Sequence, residues 1–293
     1  MIAPRRSRPR ALRVALVVAA VVAAMATTAA ASPNHFGHQP RYYVALGDSL
    51  SVGYMPDANG VNHETNLGYA DQLYFMERFS MPKLHLVKLG CPGESTSTMI
   101  SGGVCAYSDG SQLAQAEAFL QAHQDQVAFV TIDLGANDIY KCATGGTIDP
   151  ACVAGAFQAV GTNLPQIVTG LRAAAGTGVP IVGMNYYDPV LASWLQGPAG
   201  RQLAQASVAV LDQYDTLIES VYGAFGYPTA DVESAFKTTD FTMVWSPKYG
   251  TVPTNVLLIC RLTWMCAVPP VGPNIHGNPL GYWVMANAFR QEL

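Results

Sequence analysis

Tyr42-Tyr43-Val44-Ala45-Leu46 runs directly into Gly47-Asp48-Ser49-Leu50-Ser51. An unbroken apolar and aromatic run of this length is the pattern of a strand buried on both faces. The break at Gly-Asp-Ser ends it, and small and apolar residues then resume. A serine on the first turn after such a strand sits at the carboxyl edge of a sheet and at the amino end of a helix. Open α/β sheets place their sites there, and backbone N–H groups and the helix dipole favour negative charge there. Taken alone, the pentapeptide reads equally well as a plain strand-to-helix turn capped by Asp48 or Ser49. The rest of the chain has to decide.

Strand-like runs recur at 84–89, 127–134, 179–185 and, less regularly, 230–235. Helical patterns lie between them at 69–79, 111–124, 153–175 and 201–225, and a last one closes the chain at 279–291. Apolar strands alternating with amphipathic helices predict a mainly parallel sheet covered on both faces. With right-handed crossovers this becomes a three-layer α/β/α sandwich. The segment 237–273, rich in glycine and proline, reads as a long loop walling one side of the sheet edge.

Three further polar clusters sit where strands end or helices begin. They are Leu89-Gly90-Cys91-Pro92-Gly93-Glu94-Ser95-Thr96, Gly135-Ala136-Asn137-Asp138, and Asn274-Ile275-His276 ahead of the last helix. With the Gly-Asp-Ser turn they make four blocks, in order, between residues 42 and 290. In this the chain resembles the SGNH/GDSL-type serine hydrolases. The resemblance implies a flavodoxin-like sheet of five strands and a secreted esterase or lipase that cleaves carboxylic esters through an acyl-enzyme. The same site would also serve an acyltransferase, and a non-catalytic extracellular binding module is the reading from another class.

A serine hydroxyl needs a neighbouring base to act as a nucleophile. Of the six histidines, His276 alone lies in a motif position. Ser49 is therefore the candidate nucleophile and His276 the general base that later protonates the leaving alcohol. The resemblance implies an oxyanion hole made by the backbone N–H of Ser49, the backbone N–H of Gly93 and the side-chain amide of Asn137, with Gly90 competing for the second place. Asp48 and Asp138 read as loop-orienting residues. One departure from the family pattern concerns the acid that orients the histidine. The family carries an aspartate two or three residues before it, whereas Pro273 and Asn274 stand here. A backbone carbonyl such as that of Pro273 is the favoured acceptor for the imidazole N–H. The Asn274 side-chain oxygen is the second reading, and a degenerate, slow site the third.

The first residues read as an export signal, 1–31. Arg5, Arg6, Arg8, Arg10 and Arg13 lead an apolar core at 14–25, and Ala29-Ala30-Ala31 offers a cleavage site. A short flexible tail (32–40) and a single hydrolase domain (41–293) follow. Loss of residues 1–31 removes five arginines and no acids, leaving 11 basic against 20 acidic side chains and a formal charge of −9. A chain this acidic lacks the basic stripe of a nucleic-acid binder. No second apolar run long enough to span a bilayer follows, so stable membrane insertion is not expected. The expected partner is a small-molecule or lipid ester, the expected state a monomer, and no metal or other cofactor is called for. Tyr54, Met55, Tyr186, Tyr187, Trp245, Trp264 and Met265 are candidates for an acyl groove. Six cysteines in an exported chain point to disulfides. Fifteen pairings are possible and the sequence does not choose among them. Local spacing favours Cys91–Cys105, Cys142–Cys152 and Cys260–Cys266, the sequential pattern that the resemblance also implies.

Overall fold

The apolar run at 42–46 forms the body of β1 (Arg41–Gly47), buried from Tyr43 onward. The computed structural model describes residues 40–293; the expected export signal, and all but the last residue of the expected tail, lie outside the described residues. After β1 come the hairpin strands β2 (Met55–Pro56) and β3 (Asn62–His63), then α1 (Tyr69–Glu77), β4 (Leu84–Lys88), α2 (Thr96–Ser101) and α3 (Gln112–Ala122). Next are β5 (Val127–Asp133), α4 (Ala136–Ile139), a 3-10 turn (Tyr140–Cys142), the hairpin β6 (Ala143–Thr144) and β7 (Thr147–Ile148), and the long α5 (Pro150–Ala175). The chain continues with β8 (Ile181–Met184), a 3-10 stretch (Pro189–Gln196), α6 (Pro198–Ala224), β9 (Thr229–Ala230) and α7 (Val232–Ala235). It ends with the hairpin β10 (Met243–Ser246) and β11 (Gly250–Pro253), α8 (Thr254–Leu262) and α9 (Pro279–Gln291).

The central sheet has the order β4-β1-β5-β8-β9, with every neighbour parallel. Helices cover both faces, so β5 is buried along its whole length, as a central parallel strand must be. On one face α1 and α9 pack together, with Tyr69 stacked on Phe289 at 4.6 Å. On the other, α3, α5 and α6 form a continuous layer. The stripe that α5 buries, Val160, Leu164, Ile167, Val168 and Leu171, has the three-to-four spacing of an amphipathic helix. This is the three-layer, flavodoxin-like α/β/α sandwich expected from the sequence. The crossover direction reverses on either side of β1, so the topological switch point lies between the carboxyl ends of β1 and β5.

Two expectations about elements are corrected. The strand read at 230–235 stops at Ala230, because Asp231 accepts a hydrogen bond from the Ser234 N–H and starts α7. The segment 237–273 is not a bare loop: it holds the β10–β11 hairpin and α8. Its prolines obscured the helix, yet all of them fall outside it. Pro253 stands just before its first turn, where a missing N–H breaks no helical bond, and Val256, Ile259 and Leu262 turn one face inward.

Candidate active site

Where β1 ends, Gly47 adopts φ 126°, and a Cβ built there would lie 2.0 Å from the Asp133 carbonyl oxygen at the end of β5. Only glycine permits this approach. The turn is clamped by a side chain that no motif announced. Gln112, the fully buried first residue of α3, accepts from the Gly47 N–H at 2.7 Å and donates to the Gly47 carbonyl at 2.9 Å. It also donates to Glu94 Oε2 at 3.1 Å, and so ties the first block to the second. Its amide pairs with the strand end as another strand would.

The turn projects Ser49 into a pocket lined by Asp48, Ser49, Leu50, Ala136, Asn137, Tyr140, Tyr187, Ile275 and His276. Ser49 Oγ lies 3.0 Å from His276 Nε2, although 227 positions separate the two residues. His276 Nδ1 lies 2.7 Å from Asn274 Oδ1, which also accepts from the His276 backbone N–H at 3.1 Å. Asn274 Nδ2 in turn donates to Asn62 Oδ1 on β3 at 2.8 Å. With Nδ2 committed to Asn62, Oδ1 must face the imidazole. That fixes the proton on Nδ1 and leaves the Nε2 lone pair for the serine. The favoured expectation of a backbone-carbonyl acceptor is therefore corrected: the acceptor is the Asn274 side chain. Asn62, whose side chain orients this amide, is a contact of the site that no motif pointed to.

Tyr54 packs edge-on against the imidazole at 5.3 Å between ring centroids. The loop beneath is fixed by Trp264 N–H donating to the His276 carbonyl at 3.1 Å and by Asn278 N–H donating to the Leu262 carbonyl at 2.9 Å. Burial pushes the His276 imidazole down to about 4, so at neutral pH it is an uncharged base.

Asn137, at the start of α4 beyond β5, donates its amide N–H groups to Asp48 Oδ2 at 3.1 Å and to the Glu94 carbonyl at 2.9 Å. Together the two bonds tie the loop carrying Gly93 to the turn that carries Ser49. Gly93 itself has φ 88° but does not line the pocket. Asp48 also accepts from the Leu50 N–H at 2.9 Å and from Ser49 Oγ at 3.3 Å. Asp138 accepts from the Thr96 N–H and hydroxyl, both at 2.9 Å, and so holds the start of α2. Behind the turn, Asp133 accepts from the Tyr69 hydroxyl at 2.6 Å. Asp48 and Asp133 are both buried, and burial raises the proton affinity of the two neighbouring carboxyls above the ordinary range. Of the residues read as groove candidates, Tyr187 lines the pocket and Tyr54 packs against His276, whereas Met55 and Tyr186 are buried in the core.

Three disulfides, Cys91–Cys105, Cys142–Cys152 and Cys260–Cys266, close loops with sequence separations of 14, 10 and 6. Each lies beside a block of the site. Among the described residues, no group of three or more His, Cys, Asp or Glu side chains is placed to hold a metal ion, and no helix is long and apolar enough to cross a membrane.

The model of the GDSL-like lipase/acylhydrolase family matches residues 45–284. Among solved structures, a phospholipase A1 from Streptomyces albidoflavus superposes with TM-score 0.50 at 15% identity, covering 87% of this chain and 100% of the other. An extracellular lipase from Streptomyces rimosus superposes with TM-score 0.52 at 16% identity, covering 86% and 100%. At such identities the likeness is one of fold. No curated protein matches the chain in sequence comparison.

Proposed function

The chain belongs to the GDSL-like lipase/acylhydrolase family, and from that premise we propose that it is an exported serine hydrolase that cleaves carboxylic esters through an acyl-enzyme on Ser49. The observation that carries this reading is the 3.0 Å contact between Ser49 Oγ and His276 Nε2, backed by the Asn274 amide on the far side of the ring. His276 Nε2 takes the hydroxyl proton as Oγ attacks the ester carbonyl carbon. The carbonyl oxygen becomes an oxyanion, stabilised by the backbone N–H of Ser49 and by the Asn137 amide; the Gly93 N–H, the third donor that the family resemblance implies, belongs to a residue that does not line the pocket. Asn137 reaches the oxyanion by sharing the hydrogen it now donates to Asp48. The imidazolium then gives its proton to the departing alkoxide, and the acyl group stays on Oγ. Water, deprotonated by the same Nε2, hydrolyses that ester and returns Ser49 to its hydroxyl form.

Asn274 supplies what a triad acid supplies in geometry, the correct tautomer and ring orientation, but no charge to stabilise the imidazolium. Three disulfides fit an oxidising compartment, which supports export. The test is hydrolysis of p-nitrophenyl acetate and butyrate by the oxidised protein beside its Ser49→Ala variant. Turnover that falls by at least about 10³-fold in the variant is expected, since the residual rate comes from the oxyanion hole and binding alone. Equal rates in the two proteins would refute the reading.

A further inference from the structure

Three consecutive residues of the loop that carries the base are each tied to another part of the fold. Asn274 donates its side-chain amide to Asn62 at 2.8 Å and its backbone N–H to the Trp264 carbonyl at 3.3 Å. His276 offers its carbonyl to the Trp264 N–H at 3.1 Å. Between them, the Ile275 carbonyl accepts from the Tyr187 hydroxyl at 2.7 Å. Tyr187 belongs to the segment after β8, which β5 separates from β1 in the sheet order. It is a rigid support: only 1% of it is exposed, and its ring stacks on Phe236 at 4.5 Å with 12° between the planes. Its own carbonyl accepts from the Tyr140 hydroxyl at 2.9 Å. Tyr140 directly follows α4, the element that carries Asn137. A line of contacts therefore runs from the oxyanion-donor side of the pocket, through Tyr140 and Tyr187, to the residue before the base.

This line does something that the Asn274 contact cannot. The bonds from Asn274 Oδ1 to the His276 N–H and Nδ1 lie within three residues, so they fix the tautomer and the ring angle relative to the loop itself. They would travel with the loop if it moved. Where the loop stands relative to Ser49 is set by partners outside it, and proton transfer needs Oγ and Nε2 to stay within about 2.6–3.2 Å. The Tyr187 hydroxyl has one proton, and the Ile275 carbonyl takes it. That hydroxyl is thus spent on the backbone rather than offered to a substrate, although Tyr187 lines the pocket. Ile275 is 38% exposed, so a carbonyl released by loss of the hydroxyl can turn to water, and the fold loses little.

We propose that Tyr187 is a positioning residue for the base: through the Ile275 carbonyl its hydroxyl sets where His276 Nε2 stands relative to Ser49 Oγ, and through Tyr140 it ties that placement to the Asn137 side of the pocket. The proposal rests on the hydrolase reading above. It makes Tyr187 a determinant of the chemical step and not of substrate affinity.

The experiment measures kcat and KM for p-nitrophenyl acetate, and the rate at which an alkyl fluorophosphonate inactivates the protein, in the wild type, Tyr187→Phe, Tyr140→Phe and Tyr227→Phe. Ser49→Ala is the blank, and each protein is melted to show that it is folded. Tyr227→Phe is the reference for a merely structural loss, since that buried hydroxyl donates to the Val168 carbonyl on α5 at 2.8 Å, outside the pocket. Tyr187→Phe should lower kcat by about ten- to a hundredfold, the scale of a misplaced catalytic group, with KM within about threefold of the wild type. Inactivation should slow by a similar factor, because attack on phosphorus needs the same base. Tyr140→Phe releases the Tyr187 carbonyl but leaves the stack on Phe236, so a smaller loss of the same kind is expected; it decides the matter if Tyr187→Phe does not fold. Tyr227→Phe should keep the wild-type rates. An unchanged kcat in the folded variant, a change confined to KM, or an equal loss in Tyr227→Phe overturns the proposal and leaves the hydrolase reading intact. A wild type no faster than the blank in both assays overturns both.

Discussion

Asn274 stands where a carboxylate is the family habit, and its neutrality leaves a measurable mark. A carboxylate beside Nδ1 would favour the imidazolium and raise its pKa, whereas burial with a neutral acceptor lowers it to about 4. His276 acts as a base only when neutral. The acid limb of kcat/KM should therefore fall near pH 4, not near the ordinary histidine value of about 6.5. Asn274→Asp should move that limb upward, and a pH–rate profile of the two proteins measures the displacement. Coincident limbs would refute the account. Asn274→Ala removes the acceptor and frees the ring, and should cost about 10²-fold in kcat, the scale of a lost alignment. Ser49 and His276 were legible because each lies in a short motif whose chemistry requires that residue type. The part played by Asn274 was one of three readings that the sequence left open. Which end of its amide faces the imidazole is decided by Asn62, 212 positions away, and local sequence holds no trace of that pairing.

At the scale of elements, the sheet was written in the chain as uninterrupted apolar runs, because parallel strands covered on both faces have no polar side to show. The helices of the outer layers were legible from their periodicity. What escaped notice falls into two kinds. α8 was hidden by flanking prolines that punctuate its surroundings without entering it. The Gln112 clamp was hidden because its function depends on β1 and α3 meeting in three dimensions. A glutamine at a helix start looks solvent-facing until the strand end arrives beside it. Gln112→Leu keeps the approximate bulk but leaves the Gly47 N–H and carbonyl unpaired. It should destabilise the fold by about 2–4 kcal/mol, within the range for orphaned buried polar groups, and should lower the proposed hydrolase activity as the Ser49 turn loosens. Chemical denaturation of the variant beside the wild type measures the first effect. A change under about 0.5 kcal/mol would show that the clamp is dispensable.

Among the described residues, Asp48, Asp133, Asp188 and Asp215 are buried with no ion-pair partner. Burial pushes Asp188 up to about 6, and burial with repulsion from Asp212, Asp231 and Glu219 pushes Glu233 up to about 7. Burial raises Asp215, Asp48 and Asp133 as well. In the unfolded chain such groups titrate near 4. Between about pH 4 and 7 the folded state therefore holds protons that the unfolded state has released, and stability is lost as pH rises through that window. His276 acts in the opposite sense. Its lowered value means that the unfolded chain binds the extra proton below about pH 6.5, so its contribution falls as pH falls. Asp231, lowered by its bonds to Asn185 and Ser234, sides with the histidine. The raised carboxyls outnumber these, and the melting temperature should be higher at pH 5 than at pH 7.5. An equal or lower value at pH 5 would refute this reckoning. No single residue could have disclosed the behaviour beforehand, since it depends on how many acids the fold encloses.

On the reading proposed above the protein is an ester-cleaving catalyst, a hazard to a cell whose own membranes are built of esters. The three disulfides bear on that hazard. Cys91 sits two residues before Gly93, Cys142 two residues after Tyr140, and Cys260–Cys266 lies under the segment that presents His276. A newly made chain in reducing surroundings carries these cysteines as thiols, so the loops that assemble the site are not yet fastened. On the export proposed above, the three bridges fasten these loops only once the chain has left the reducing compartment. On that reading, oxidation would act as a safety catch, released by a change of surroundings.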